Sequence, residues 1–433
     1  MKLAIIGTGY VGLITGACFA EFGYRTVCID KDEKRVEKLN NSQCPFYEPG
    51  VDDLLEKHLN KTKLLSFSSS LSESVKDADI IFITVGTPSK RIEGEADLSY
   101  VWDVAQDISH NINKYCIVVT KSTVPVGTTQ EIKKIISKIV PKENFDVVSN
   151  PEFLREGSAI NDFMRPDRII IGTDNEKSTK IMKELYRPLY LLETPIITSS
   201  IESSEIIKYA SNSFLATKIS FINQVADLCE AVGADVQEVA KGMGIDKRIG
   251  SKFLNAGPGF GGSCFPKDVK AFTSSAKKQN INFSILDAVN SYNQNRPLEI
   301  SKKIINLKKY NKNSKLALFG LSFKPNTDDI RDSTSLKIAQ HLFDQGIMIN
   351  CYDPVSNDNA MDLFPKFSYF KNAYEASEAV DAIIIGTEWN EFRALNFLKL
   401  KSLMKNLVIF DLRNIYNKQE LSDLGFEYYG IGK

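Results

Sequence analysis

Residues 2–30 read KLAIIGTGYVGLITGACFAEFGYRTVCID. A short apolar run of strand type stops at the turn Gly7-Thr8-Gly9-Tyr10-Val11-Gly12, which fits the pattern G-x-G-x-x-G. A helical stretch follows. A second apolar run then ends in Asp30, eighteen residues beyond Gly12. Glycine turns are common, but one that leaves a strand, opens a helix and has a carboxylate at the end of the next strand is the fingerprint of a dinucleotide site. The glycines let backbone amides approach a pyrophosphate, and the helix N-terminus supplies positive potential. Asp30 is placed to accept hydrogen bonds from both adenosine ribose hydroxyls. It would repel a 2′-phosphate, which favours NAD over NADP. Arg35 works the other way, because its guanidinium can pair with such a phosphate.

The same grammar continues outward. DADIIFITVGTP (77–88) and CIVVTKSTVP (116–125) are short apolar runs of buried parallel-strand type. Helical patterns at 33–41 and 97–112 separate them, as in a doubly wound α/β domain. From about 199 to 295 the strand signals fade, and residues 201–233 show apolar positions at three- and four-residue intervals. So long a helix is expected to span between domains or to pack in a subunit interface. The opening pattern then returns in order. KLALFG (315–320) echoes KLAIIG, INCYDP (349–354) echoes VCID, VDAIIIGTEW (380–389) echoes ADIIFITVGTP, and LVIFDLR (407–413) echoes CIVVTKS. We therefore expect an α/β protein with two Rossmann-like doubly wound domains joined by a central helical region. The boundaries fall at 1–198 for the NAD-binding domain, 199–297 for the helical domain with its cysteine loop, and 298–433 for the C-terminal domain. The second copy lacks the glycine fingerprint: LSFKPNTDDIRDS (321–333) follows KLALFG, offering Lys324 and Arg331 instead.

Composition narrows the partners. Fifty-four basic residues balance fifty-four acidic ones, so no global charge draws the chain to nucleic acid or an anionic membrane. The densest basic run, KKIINLKKYNKNSK (302–315), reads as a solvated helix and linker. Seven cysteines occur without a C-x-x-C pair, and the three histidines (His58, His110, His341) lie far apart, so no metal site is expected. Unpaired thiols fit a reducing compartment. Glu21 and Arg25 interrupt the N-terminal apolar runs, which argues against a signal peptide or membrane span, and the expected location is cytoplasmic.

One cysteine stands in unusual company, in GPGFGGSCFPKDV (257–269). Gly257, Gly259, Gly261 and Gly262 permit close backbone approach to a ligand. Pro266 suits a first helical position, which puts Cys264 at a helix N-terminus beside Lys267, and both features favour thiolate. Asp268 lies one turn further on the same face. Cys18, Cys28, Cys116 and Cys229 read as ordinary buried cysteines. Lys208 and Asn212 share a face of the long helix, although Glu205 offers Lys208 a plain ion-pair partner. A thiol combined with NAD points to a four-electron oxidation. Thiolate addition to an aldehyde gives a thiohemiacetal that still carries a hydride, and its oxidation gives a thioester that water releases as an acid. Lys208 and Asn212 are the donor types that hold an oxyanion, and Asp268 or Glu152 is suited to activate water.

GPGFGGSCFPKD, STVPVGTT, NPEFLREGSAI, EIIKYASNSF and GLSFKPNTDDIRDS together resemble the UDP-glucose/GDP-mannose dehydrogenase family over essentially the whole chain. The resemblance implies oxidation of a sugar nucleotide's C6 alcohol to a carboxylate with reduction of two NAD⁺. By it, Cys264 is the nucleophile, Lys208 and Asn212 steady the oxyanion, Asp268 positions water, Thr123 orders water and cofactor, and Glu152 is acid or base. Tyr10, Asp30, Arg35, Thr87, Thr123, Glu156, Lys267 and Arg331 would touch NAD. Glu152, Phe153, Leu154, Lys208, Asn212, Phe253, Leu254, Asn255, Gly257, Gly261, Phe265 and Lys324 would line the sugar-nucleotide site. Arg248 would reach across a dimer interface, and Arg413, from the looser match FDLRN, would help to hold substrate. Residues 91–98 read RIEGEADL where the family more usually has Asp-Gly, so that loop is expected to tolerate Glu93. Phe260, Ser263 and Phe265 fit the UDP-glucose type. GDP-mannose or another UDP-hexose is the alternative within the family, and a non-catalytic NAD-dependent sensor is the alternative outside it.

Overall fold

A computed structural model describes residues 1–88 and 95–433; Glu93 of the 91–98 loop lies outside the described residues. The chain divides into two compact units, one of Met1–Ser211 with Ser274–Ile281 and one of Asn212–Thr273 with Asn282–Lys433.

In the first unit, eight strands form one sheet: β1 (Lys2–Ile6), β2 (Arg25–Ile29), β3 (Leu65–Ser68), β4 (Ile80–Ile83), β5 (Cys116–Thr120), β6 (Phe145–Ser149), β7 (Ile169–Gly172) and β8 (Ile196–Ser199). Their order is β3-β2-β1-β4-β5-β6-β7-β8, and only the β6–β7 pairing is antiparallel. The first six strands thus follow the doubly wound order, which reverses direction between β1 and β4. The continuous apolar runs of the sequence have a physical reason. Leu3, Ile5, Ile80 and Phe82 enter one hydrophobic layer, while Ala4, Ile6, Ile81 and Ile83 enter the layer on the opposite face. A strand covered on both faces must be apolar at every position.

The second unit repeats this plan with β9 (Lys315–Phe319), β10 (Met348–Tyr352), β11 (Ser368–Tyr369), β12 (Ala382–Ile385), β13 (Val408–Asp411) and β14 (Glu427–Gly430), ordered β11-β10-β9-β12-β13-β14 and parallel throughout. Leu316 and Leu318 pack in one layer, and Ala317 and Phe319 in the other. The four echoes read from the sequence are β9, β10, β12 and β13. The expected helices at 33–41 and 97–112 are Glu33–Asn40 and Ser99–Asn111, and the long one is a single helix, Ile201–Val232. The basic run 302–315 closes the helix Ser284–Lys308 and leads into β9. Among the described residues no helix is long and apolar enough to cross a membrane.

Candidate active site

In the first unit the fingerprint turn leaves the carboxyl end of β1, at the switch point of the sheet. The helix Tyr10–Glu21 starts from Gly9, and no side chain caps it. A Cβ on Gly9 would meet nothing within 4 Å, so the space in front of the helix N-terminus is open. A Cβ on Gly12 would fall 1.8 Å from the Gly7 carbonyl oxygen, so that position admits glycine alone. Asp30 follows β2. Its carboxylate accepts hydrogen bonds from the Thr8 amide (2.9 Å), the Thr8 hydroxyl (2.7 Å) and the Asp32 amide (3.1 Å), with Arg35 at 3.6 Å. Burial alone would raise its pKa, but these donors outweigh burial and hold the carboxyl below its ordinary range. Arg35 therefore sits on the carboxylate expected to repel a 2′-phosphate. Val11 takes the second helical position, and the Thr87 hydroxyl donates to the Thr123 carbonyl at 2.9 Å, which ties the loops after β4 and β5. These features suit a dinucleotide.

Beyond β6 the segment 150–156 carries Glu152, Phe153, Leu154 and Glu156. Glu152 accepts from the Leu154 amide at 2.5 Å and from Lys208 Nζ at 3.1 Å, and both charged side chains are almost fully buried. Lys208 also lies 5.1 Å from the centre of the Phe153 ring, with Arg168 stacked on that ring at 3.5 Å. The plain pairing of Lys208 with Glu205 is not what the structure holds. Glu205 instead accepts from the Gly127 and Thr129 amides at 2.7 and 2.9 Å, at the start of the helix Thr128–Ile136. Burial lifts the Glu205 pKa against those hydrogen bonds. The backbone amides of a helix start, lacking partners of their own, outbid an ammonium for this carboxylate.

In the second unit Cys264 immediately precedes the helix Phe265–Lys278, and its carbonyl accepts the Asp268 amide at 2.8 Å, so the cysteine occupies the cap position. Pro266 stands second in the helix rather than first. The thiol is half-buried, 3.5 Å from the Ser263 hydroxyl. Asp268 is 1% exposed; one carboxylate oxygen accepts from Asn212 Nδ2 at 2.6 Å and the other faces Lys267 Nζ at 2.8 Å. Two of the surrounding glycines have a packing reason within this unit. A Cβ on Gly261 would lie 2.4 Å from the Asp332 carbonyl oxygen, and one on Gly262, where φ is +80°, would lie 2.7 Å from the Phe323 ring. The loop 321–333 of the second fold repeat therefore presses directly on the cysteine loop, and the Gly262 amide donates to the Arg331 carbonyl at 2.8 Å.

The other expected residues divide. Phe253 and Phe265 meet at 6.2 Å between ring centres, Leu254 is buried, and Asn255 is exposed. Gly257 is fixed by Asn223 and Arg296 through hydrogen bonds of 2.8 and 2.7 Å. Arg413 leaves β13, donates to the Gly386 and Phe323 carbonyls at 2.7 and 3.2 Å, and comes within 3.7 Å of where a Gly257 Cβ would be. Lys324 lies 5.6 Å from the Phe323 ring. Arg331 pairs with Asp329 at 2.8 Å. Arg248 is not gathered with this group: its guanidinium is 90% exposed and pairs with Asp246. Among the described residues no group of His, Cys, Asp or Glu is arranged to hold a metal.

Sequence reading missed Glu48. This buried carboxylate accepts from Tyr10 Oη at 2.5 Å, from the Gly157 amide and from the Ala159 amide at 2.8 Å, so it pins the fingerprint helix to the segment that follows Glu152. A single Glu before Pro-Gly carries no periodic signal. Lys121, Asn150 and Tyr186, which form a buried polar cluster behind Glu152, were also missed.

A doubly wound sheet with an open helix N-terminus at its switch point and a carboxylate after its second strand is the architecture of an NAD-dependent dehydrogenase. The chain belongs to the UDP-glucose/GDP-mannose dehydrogenase family: residues 1–190 match its NAD binding domain, 202–295 its central domain and 317–418 its UDP binding domain. NAD is the cofactor. The chain is 49% identical over 436 residues to the UDP-glucose 6-dehydrogenase of Rhizobium meliloti (strain 1021), with all of both chains covered. It is 44% identical to UDP-glucose 6-dehydrogenase TuaD of Bacillus subtilis (strain 168), covering 100% of this chain and 93% of that one. Among solved structures, a UDP-glucose dehydrogenase from the archaeon Pyrobaculum islandicum superposes with a TM-score of 0.90 at 35% identity, covering 97% of this chain and 95% of that one.

Proposed function

We propose that this chain oxidises the C6 alcohol of UDP-glucose to the carboxylate of UDP-glucuronate through covalent intermediates on Cys264. The observation that carries the reading is the half-buried Cys264 at its helix cap, one turn before an Asp268 held by both Asn212 and Lys267. Full-length identity to named UDP-glucose 6-dehydrogenases supports this choice of sugar.

When bound at the fingerprint turn and Asp30, NAD would supply the hydride acceptor for the two oxidations. Cys264 as thiolate adds to the C6 aldehyde, forming the S–C bond of a thiohemiacetal; loss of the remaining C6 hydride leaves a thioester. Water adds to the thioester carbon, the C–S bond breaks, and the acid departs while the thiol recovers its proton. Lys208 and Asn212 stabilise the oxyanions, each donor contributing roughly 10²–10³ in rate. Asp268, held by Asn212 and Lys267, orients or deprotonates the water. Glu152 serves as acid and base, and Thr123 orders water and cofactor. Glu156, Lys267 and Arg331 complete the cofactor contacts, while Lys324 and Arg413 serve the nucleotide end. Sequence order suggests three parts, 1–198, 199–297 and 298–433, for cofactor, thiol and sugar nucleotide.

The test is NADH formed per UDP-glucose consumed, with the product's mass. Two NADH and a uronate are expected, and Cys264→Ala should abolish that stoichiometry. One NADH with a released aldehyde, unchanged in Cys264→Ala, would overturn the reading. We further infer a homodimer in the cytoplasm. Phe214, Phe221 and Leu228 are 65%, 51% and 62% exposed at seven-residue intervals on the long helix, an apolar seam suited to a second copy and to a crossing Arg248. Phe221→Glu should halve the mass measured by light scattering; an unchanged mass rejects that seam.

A further inference from the structure

Lys121 follows the last residue of β5, at the carboxyl edge of the first sheet, and is 4% exposed. Its ammonium donates to Asn150 Oδ1 at 3.2 Å and to Tyr186 Oη at 3.4 Å. The Tyr186 hydroxyl donates to the same Asn150 oxygen at 2.6 Å, and Asn150 Nδ2 donates to the Ile170 carbonyl at 2.7 Å. No carboxylate of the described residues lies within ion-pair distance of this lysine. A buried ammonium held only by neutral acceptors is costly, and such groups persist where the charge has a use.

Lys121 and Glu152 line one small cavity of about 40 Å³, together with Asn150, Phe153, Arg168 and Tyr186. That volume has room for ordered water. The charged and titratable groups that face Lys121 are Glu152, Lys208, the Cys18 thiol of the fingerprint helix and the Tyr186 phenol. Burial keeps both Cys18 and Tyr186 protonated. Burial also draws the Lys121 ammonium down to about 8, Glu152 opposes that fall, and Lys208 adds to it.

Three cations therefore gather around Glu152: Lys121, Lys208 and Arg168, the last stacked on the Phe153 ring. Lys208 takes the direct contact with Glu152, and Lys121 stands behind. We propose that Lys121 is a positioning residue for Glu152, a second buried ammonium that holds the carboxylate in place when Lys208 turns its own ammonium toward a substrate oxyanion. The step at which this matters rests on the reaction proposed above. Were Lys208 the only ammonium beside Glu152, each oxyanion would compete with Glu152 for it, and the carboxylate would keep only Arg168, which is held on the Phe153 ring. With Lys121 in place the carboxylate keeps a buried ammonium in its own cavity as the oxyanion forms.

The test separates this inference from the reaction itself. The intact, ligand-free protein carrying ¹³Cε-labelled lysine is titrated by NMR, with Lys121 assigned by loss of its signal in Lys121→Met. The wild-type midpoint is expected near 8. Glu152→Gln should lower it and Lys208→Met should raise it, each by about half a pH unit or more. In steady-state assays Lys121→Met should reduce kcat by roughly tenfold to a hundredfold, with both KM values changed less than about twofold. A midpoint that moves in neither neighbour variant overturns the inference, as does a Lys121→Met enzyme with full kcat. Should Lys121→Met not fold, the two neighbour titrations still decide. Should the wild type leave UDP-glucose untouched, the proposed reaction falls, while the titrations still report whether Lys121 and Glu152 are coupled.

Discussion

Lys121→Met should leave the protein more stable near neutral pH and less active. The ammonium titrates at about 8 in the folded chain against 10.5 for an ordinary lysine. Each unit is worth ~1.4 kcal/mol, so holding the charge inside costs about 3 kcal/mol. Methionine matches the stem's shape and removes the charge. Against this stand the hydrogen bonds to Asn150 and Tyr186, of which Asn150 keeps its bond from Tyr186. Their loss returns about 1 kcal/mol, for a net gain of about 2 kcal/mol. The sign with pH follows from the depressed folded value. Below 8 both states are charged and the folded one carries the whole cost. Between 8 and 10.5 the folded lysine is neutral while the unfolded one still holds its proton, so wild-type stability rises with pH and the advantage of methionine shrinks. Urea unfolding of both proteins at pH 6, 7, 8, 9 and 10 reads this directly. A wild type at least as stable as the variant at pH 7, or a difference that does not change with pH, would refute the reasoning.

Gly261→Ala drives a Cβ into the Asp332 carbonyl, so it should cost about 1–3 kcal/mol in urea unfolding and lower kcat through displacement of Cys264. Gly242→Ala lies in the interior of the helix Val236–Ile245 with open space at its Cβ, and should instead stabilise by roughly 0.5–1 kcal/mol; similar effects from the two changes would reject the contact. Iodoacetamide at pH 7.5 should modify Cys264 first and abolish activity, as mapped by peptide mass spectrometry. Cys18, Cys28, Cys116 and Cys351 should resist until urea unfolds the chain, because burial raises all four thiols, with Cys116 at about 12. Rapid labelling of those four would mean that the sheets open readily.

The parts of this molecule legible in its sequence are those where backbone geometry dictates composition. A strand buried on both faces must be apolar throughout, so β1, β4, β5, β9 and β12 announced themselves, and their order exposed the repeat. The edge strands β3, β8, β11 and β14 were not visible, because half-exposed or very short strands keep too little apolar surface to form a run. The same holds at the site. Cys264, Lys267 and Asp268 fall within one helical turn, and Lys208 and Asn212 within another, so spacing alone presents them. Glu48 and Lys121 act through residues more than twenty positions away, and no local pattern records such a partnership.

Glu205 shows why spacing can also mislead. Three residues from Lys208 on one helix, it has the position of an ion-pair partner, yet it serves the Gly127 and Thr129 amides. An exposed i, i+3 pair is worth only about 0.2–0.5 kcal/mol. A buried helix start whose amides lack acceptors loses about 1–3 kcal/mol for each group left unsatisfied. The larger debt claims the carboxylate, and Lys208 becomes available to Glu152. The catalytic reading of Lys208 thus depends on a structural need elsewhere in the first unit. In Glu205→Gln, where the side chain presents one acceptor and one donor to two amides, the helix start at Thr128 should lose about 1–3 kcal/mol in urea unfolding, while the Lys208–Glu152 pair, with no rival carboxylate, should be retained.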